Sequence, residues 1–348
     1  MHHEWVEGYI ETPVGDIRRI RTGLTSKDNF DNFKVRWGIN RYNYTVSPGL
    51  YAVGHPDQNA PVIVTANYKL TFDILRKQLA GQDLWMLVLD TKGINVWCAA
   101  GKGTFGTTEL INRIKKTKLE QVVLHKKIII PQLGAPGVAS RQVTQNTGFK
   151  VIFGPIRAQD IQKFLANGWK ATKEMRTVRF DFKDRLVLTP MELVPGLKFF
   201  LIPVVLLLVF NVINHQGIDF KTITATFFNL IPYLGAFLMG AFFVPVVLPY
   251  IPFRSFALKG MFLGVLWVLV YIKFHSAFMF SDNYLILIGN TLLLLSISTY
   301  LALNFTGSST YTSLSGTVRE TIIVVPLVVL ASITGIGLLT AYTISNFG

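Results

Sequence analysis

From Phe199 onward the chain is dominated by five apolar blocks, which a fold surrounded by water has too little polar surface to accommodate. Phe199 to Ile218 and Thr222 to Phe253 contain no Asp, Glu, Lys or Arg. A third block, Ser255 to Phe280, carries Lys259 and Lys273 near its ends, where lysines snorkel toward an interface. Asn283 to Leu303 and Thr321 to Thr343 complete the set. About 20 apolar helical residues cross a bilayer. The pattern therefore predicts an all-α transmembrane domain over 196–348, with spans at about 199–218, 224–250, 255–280, 283–303 and 321–343. Prolines 203, 232, 245, 249, 252 and 326 lie in or beside these spans, as lipid-embedded helices permit. The spans hold no internal Asp, Glu or Arg, so no proton relay or ion path is evident. An anchor or a partner-docking platform fits better than a transporter.

Charge divides the chain at the same place. Only Lys221, Arg254, Lys259, Lys273 and Arg319, of 34 Lys and Arg, lie beyond residue 198, with Asp219, Asp282 and Glu320 of 20 acids. The basic excess rests on the N-terminal head, which the positive-inside rule places in the cytoplasm. Arg254, Lys259 and Arg319 then fall on cytoplasmic loops, and five spans put the C-terminus outside. The expected location is the cytoplasmic (inner) membrane, multi-pass. The opening residues Met1-His2-His3-Glu4-Trp5 form no apolar signal core. Scattered lysines without helix-turn-helix or zinc spacing argue against nucleic acid, and membrane lipid accounts for the basic surface equally well.

Within the head, short apolar runs alternate with polar or glycine-rich turns. Val62-Ile63-Val64 leads into Thr65-Ala66-Asn67, and Trp85-Met86-Leu87-Val88-Leu89 into Asp90-Thr91-Lys92-Gly93. Ile128-Ile129-Ile130 leads into Pro131-Gln132-Leu133-Gly134, and Val151-Ile152-Phe153 into Gly154-Pro155. Continuous apolar runs of this length suit parallel strands buried on both faces. With helices over Leu70–Leu79, Thr108–Lys116 and Ala158–Ala166, they predict an open α/β sheet covered on both sides. Ligands in such folds bind beyond the carboxyl ends of the strands, here the four turns just named.

The only cysteine, Cys98, follows one of those turns, in Gly93-Ile94-Asn95-Val96-Trp97-Cys98-Ala99-Ala100-Gly101-Lys102-Gly103-Thr104-Phe105-Gly106. One thiol makes no internal disulfide, zinc site or iron–sulfur cluster. It remains a buried inert side chain, a nucleophile, or one axial ligand to a metal held by a cofactor. Glycines at 101, 103 and 106 match a dinucleotide fingerprint in spacing but follow a helix rather than a strand. The phosphate-loop pattern fails, because Val96 and Gly103 stand where Gly and Ser/Thr are needed.

Asn95-Val96-Trp97-Cys98-Ala99-Ala100-Gly101-Lys102 resembles the cap-helix motif of the mercury-methylating corrinoid proteins, the HgcA family. Thr65-Ala66-Asn67-Tyr68-Lys69-Leu70 and Gly134-Ala135-Pro136-Gly137-Val138-Ala139 are similar to the corrinoid-binding domain of the corrinoid iron–sulfur protein large subunit. That likeness runs from about 60 to 195, and the five-span tail with Asn304-Phe305-Thr306-Gly307-Ser308-Ser309 resembles the mercury-methylating family specifically. The resemblance implies an α/β Rossmann-like corrinoid-binding domain at 61–195, a cap helix around 94–102, and an N-terminal extension at 1–60 of open role. It implies a corrinoid, cobalamin or a related cobamide, bound base-off with Cys98 as lower axial ligand of cobalt. Histidines 2, 3, 55, 125, 215 and 275 lack the Asp-x-His-x-x-Gly setting of histidine-ligated corrinoid proteins.

What the resemblance implies for other residues follows the strand ends. Thr65, Asn67, Thr91, Thr104 and Gln132 are expected to hydrogen-bond the corrin amides, with turn capping as the simpler role of each. Gly93, Gly134, Ala135, Pro136, Gly137 and Gly154 are expected to let backbone approach the cofactor. Asn95, Val96, Ala99, Ala100, Gly101, Lys102, Gly103 and Phe105 accompany Cys98 along the cap, while Tyr68 and Trp97 pack at its rim or in the core. The implied activity is a methyltransferase passing methyl from the cobalt corrinoid to Hg(II), giving methylmercury. The implied partners are a ferredoxin-like protein, HgcB, as electron and Hg(II) donor, and a folate-linked methyl-donor methyltransferase. Two other readings stand beside it: a membrane-anchored corrinoid methyl carrier in one-carbon metabolism or for another metal or metalloid, and a non-enzymatic membrane receptor or permease.

Overall fold

The computed structural model describes residues 4–278 and 280–347, so His2 and His3 lie outside it. The chain forms two units, Met1–Val35 with Ile39–Arg179, and Arg36–Gly38 with Phe180–Gly348. The first unit runs β1 (Val6–Ile10), β2 (Ile17–Ile20), α1 (Ser26–Arg36), β3 (Gly49–Val53), β4 (Val62–Ala66), α2 (Lys69–Gln78) and β5 (Leu84–Leu89). It continues through α3 (Val96–Gly101), α4 (Thr107–Lys116), α5 (Leu119–Val122), β6 (Lys127–Pro131), α6 (Ser140–Thr147), β7 (Lys150–Gly154) and α7 (Ile161–Ala166).

The four apolar runs become β4 to β7, and β4 pairs in parallel with β5 and β6, and β6 with β7. Every residue of β4 and β5 is buried, and alternate side chains serve opposite cores. Val62, Val64, Leu87, Leu89, Ile128 and Ile130 join one core with α3 to α6. Ile63, Met86, Val88 and Ile129 join the other with Phe72 and Leu75 of α2 and Phe164 of α7.

The sheet is not wholly parallel, as the runs alone had suggested. Its order is β1-β2-β3-β5-β4-β6-β7, with β3 antiparallel to β5 and β1 antiparallel to β2. The N-terminal segment thus covers the backbone edge that β5 would otherwise leave unpaired. In the parallel section the chain moves from β4 to β5 with α2 on one face. It then moves the other way, to β6 and β7, with its helices on the opposite face, as right-handed crossovers require. The reversal falls between β4 and β6, where a crevice opens at the carboxyl ends of the strands.

A buried ionic cluster ties the N-terminal segment to this sheet. Arg76 and Asp73 are fully buried and pair at 2.8 Å; Arg76 also meets Asp28 at 2.8 Å, and Lys69 meets Asp28 at 3.0 Å and Asp73 at 2.7 Å. Arg76 Nη1 donates to Arg21 O and Gly23 O as well. Burial pushes the Asp28 carboxyl up. Hydrogen bonds from Thr25 N, Lys69 and Arg76 outweigh that and hold it well below the usual carboxylate range.

The second unit comprises α8 (Phe182–Leu188), α9 (Pro190–His215), α10 (Phe220–Leu238), a π-helical turn Met239–Phe243, α11 (Val244–Val247), α12 (Phe256–Phe274), α13 (Tyr284–Asn304) and α14 (Leu314–Phe347). Five stretches are long and apolar enough to cross a membrane: Phe182–Asn214, Phe220–Tyr250, Phe256–Phe274, Tyr284–Gly307 and Ser315–Ser345. The first begins well before Phe199. Lys259 does not snorkel: it is buried, and its Nζ donates to Leu248 O at 2.6 Å and Ile251 O at 2.9 Å. Buried amides join the apolar packing, with Asn211 donating to Thr226 and Asn229, and Tyr233 to Asn290. Such pairs tie membrane helices together, at about 0.6 kcal/mol on average.

Asp28 has a depressed folded value, so its stabilisation is present above the unfolded carboxylate value of about 3.9 and is lost as pH falls through the folded value. Thermal unfolding of the chain in detergent is expected to hold its midpoint from pH 7 to about 5 and to fall below about 4. Asp28→Asn is expected to cost about 3–5 kcal/mol at pH 7 and to flatten that acid limb, as followed by circular dichroism.

Candidate functional site: the thiol-bearing helix and the strand-end cleft

The turn that follows β4 holds the turn that follows β5. Asn67 is buried, and its Oδ1 accepts from Thr91 N at 3.0 Å, Thr91 Oγ1 at 2.8 Å and Gly93 N at 3.0 Å. The Thr91 hydroxyl also lies 2.6 Å from Ile94 O, so one proton serves two acceptors. Lys92 and Gly93 both take positive φ, at 58° and 69°. A Cβ on Gly93 would press on Thr45 Cγ2 at 2.8 Å. Residues 44–46 bridge across to 67–69, so the β4 turn is itself clamped.

This clamped turn delivers α3. Asn95 caps it, its Oδ1 accepting from Cys98 N at 2.9 Å. Val96, Ala99 and Ala100 face inward on the i, i+3, i+4 stripe, while Trp97 and Cys98 face out. The thiol is exposed, so it is not the inert core side chain that a lone cysteine usually is. Lys102 and Gly103, just past the helix, are exposed too. The inner side of α3 rests on the loop after β6. A Cβ on Gly137 would collide with Phe105 O and crowd Ala100, and one on Gly134 would collide with the Phe105 ring, which is fully buried. Those two glycines therefore seat the cap segment, a different use from the cofactor approach expected of them.

A cleft of about 280 Å³ opens at the strand ends between β4, β6 and β7. Of the residues nominated from sequence it gathers Thr65, Asn95, Val96, Trp97 and Gly154. It adds Thr71 and Ile74 from α2, Leu133 from the β6 turn, and Pro155, Ile156 and Ala158 from the β7 turn. Thr71 and Ile74, three residues apart on the helix that leaves β4, carried the signal available for the first pair. Asn67, Thr91, Gly93, Gly134 and Gly137 act one layer behind, holding the turns. Tyr68 is buried with the Arg41 guanidinium over its ring at 5.5 Å. Thr104 Oγ1 lies 3.5 Å from Ala99 O, closing the cap on itself. Ala135 and Pro136 lie on the short helical turn Gln132–Gly137.

The lining is mostly apolar, with Thr65, Thr71 and Asn95 as its polar side chains. Gln132 Oε1 is buried at the end of β6 without a hydrogen-bond partner among the described residues, an acceptor awaiting a donor. Among the described residues no three His, Cys, Asp or Glu come together to hold a bare metal ion. A corrin ring is larger than this cleft, so a corrinoid would lie across its mouth and against α3, the helix that carries both Trp97 of the lining and the exposed Cys98, rather than inside it.

Residues 40–165, spanning β3 to α7, match the family model described as CO dehydrogenase/acetyl-CoA synthase delta subunit. That match covers about a third of the chain. Curated relatives agree. The acetyl-CoA decarbonylase/synthase complex subunit gamma of Methanothermobacter thermautotrophicus is 37% identical over 122 residues, 34% of this chain and 26% of that protein. Its counterpart in Methanopyrus kandleri is 34% identical over 122 residues, with the same shares. The corrinoid/iron-sulfur protein large subunit of Moorella thermoacetica is 32% identical over 121 residues, 34% of this chain and 27% of that protein. The chain thus spans about a quarter of the length of the curated relatives it matches. The match begins at residue 40 and so takes in β3. The membrane-type helices lie outside the matched region.

Asn67→Ala is expected to strand the buried Thr91 donors, at about 1–3 kcal/mol. Amide exchange over residues 91–103 is expected to accelerate more than exchange in β6. Equal acceleration in both would mean that Asn67 serves global stability only.

Proposed function

We propose that this chain is a membrane-anchored, corrinoid-dependent methyltransferase that passes a methyl group to Hg(II). The observation that carries the reading is an exposed thiol on a short, capped helix beside a strand-end cleft. That helix stands in a domain homologous to the corrinoid/iron-sulfur protein large subunit. The head is then a Rossmann-like corrinoid domain, and the five apolar helices cross the cytoplasmic membrane with the head in the cytoplasm and the C-terminus outside.

When bound, the corrinoid supplies the cobalt that carries the methyl group. Everything else falls to the chain. Thr65, Val96, Trp97 and Gly154 at the cleft would bear on the edge of the ring, and the unpartnered Gln132 Oε1 would accept from a corrin amide. Cys98 would supply a thiolate ligand to the cobalt. An anionic sulfur raises electron density at a metal. That suits an acceptor such as Hg(II), which is an electrophile and takes methyl together with its electrons. A neutral imidazole would do this less well. The Asn67–Thr91 clamp and the Asn95 cap fix the backbone that carries the thiol before the cofactor arrives, which lowers the ordering cost of ligation. The chain has a single thiol and no cluster of its own. Reduction therefore falls to a ferredoxin-like partner such as HgcB, which also delivers Hg(II) on its thiols, and the methyl group comes from a folate-linked methyltransferase.

A second reading is favoured by the names of the relatives, which belong to acetyl-CoA decarbonylase/synthase complexes. In it the chain is a corrinoid methyl carrier in one-carbon metabolism. Anaerobic reconstitution with cobalamin separates the two. The full chain is expected to bind cobalamin and to form methylmercury from Hg(II) with a methyl donor and reductant. Cys98→Ala is expected to keep much of the binding and lose methylmercury formation, and Cys98→His to bind with greatly reduced turnover. Methylmercury at the wild-type rate from Cys98→Ala would defeat the role given to the thiol. Cobalamin binding without any methylmercury would favour the carrier.

A further inference from the structure

α1 presents its faces in the reverse of the usual order for a helix on a water-soluble surface. Its buried residues are Asp28, Asn32 and Val35. Phe30 and Phe33 face outward, 61% and 56% exposed. This orientation is fixed. Asp28 is held by Lys69 and Arg76, and Asn32 accepts from the Tyr44 hydroxyl at 3.1 Å. Turning the helix to hide its phenylalanines would tear charged groups out of the buried cluster. The apolar surface continues past the helix with Ile39 and Tyr42, 55% and 89% exposed. Lys34, Arg36 and Arg41 accompany it, while Lys27, at the start of the helix, pairs with Glu4 at 2.6 Å. Lys34 Nζ sits 4.9 Å above the Phe30 ring and 2.7 Å from Asp31, the one acid of the helix outside the buried cluster.

Exposed aromatic rings flanked by Lys and Arg are what an interfacial segment offers to an anionic bilayer. The rings enter the boundary between headgroups and acyl chains, and the cations meet lipid phosphates. The chain brings its own bilayer within reach. The first unit ends at Arg179, and the first stretch long and apolar enough to cross a membrane begins at Phe182. So short a connection turns a weak surface contact into an intramolecular one. We propose that the outward face of α1, with Ile39 and Tyr42, seats in the headgroup region of an anionic membrane. The inference rests on the membrane-type helices and not on the cofactor assignment.

The test uses the full chain in nanodiscs of phosphatidylglycerol and phosphatidylethanolamine. Cys98→Ser removes the native thiol, and Phe33→Cys carries a nitroxide label; Gln145→Cys, on the exposed side of α6, carries it as the aqueous reference. Relaxation by oxygen and by a water-soluble nickel chelate is compared at each site. The label at 33 is expected to favour oxygen and the label at 145 the nickel chelate, with the oxygen preference at 33 reduced in zwitterionic phosphatidylcholine. A label at 33 as open to nickel as that at 145 would overturn the proposal. So would one shielded from both reagents, which would mean that a partner protein or a second copy covers α1.

Discussion

The side-chain carbonyl of Asn67 is the point on which the site depends. One buried oxygen receives Thr91 N, Thr91 Oγ1 and Gly93 N, and so ties the ends of two neighbouring parallel strands to each other. No other side-chain type does this at the same reach: an aspartate would bring a buried charge, and a serine is too short for all three. The turn it fixes has two successive left-handed residues, Lys92 and Gly93, and its exit sets the direction of α3. Asn95 then caps that helix through the amide of Cys98 itself. The position of the helix that carries the thiol is therefore decided by two amide side chains, one behind the cleft and one in its lining.

Support from beneath is equally specific. Phe105 is fully buried, and the loop after β6 can pass it only because residues 134 and 137 have no Cβ. The glycine-rich character of the segment thus has two sources. Gly93 meets a backbone demand for positive φ, while Gly134 and Gly137 make room for the cap. The cleft lies where strand order reverses, and its walls come from turns rather than from strand interiors, so lining can change without disturbing the sheet.

Much of this was legible in the sequence, for identifiable reasons. Strands β4 to β7 are buried on both faces and read as continuous apolar runs such as Leu84–Leu89. The five long apolar helices read by length and the near-absence of charge. β1 and β2 were not legible as strands, because half-buried and exposed positions alternate along Val6–Ile10 without a matching polar–apolar alternation, and Arg18 and Arg19 fill the middle of Ile17–Ile20. The start of the first long helix was hidden by Glu192 and Lys198, charges that α9 carries inside its own length. Lys259 read as an interfacial lysine because its carbonyl partners, Leu248 and Ile251, come from a bend that no periodicity announces. At the site, the motif marked the right segment, yet it could not separate residues that line the cleft, such as Trp97 and Thr65, from those that hold the turns, such as Asn67 and Gly137. That distinction depends on which way side chains point across a strand-end gap.

The central claim is that Cys98 reaches cobalt. Cobalt X-ray absorption of the full chain, loaded anaerobically with cobalamin and oxidised, reads the ligand directly. The account predicts a sulfur scatterer in the first shell of the wild type and only nitrogen or oxygen in Cys98→Ala. A first shell without sulfur in the wild type, with cobalamin bound, would contradict it.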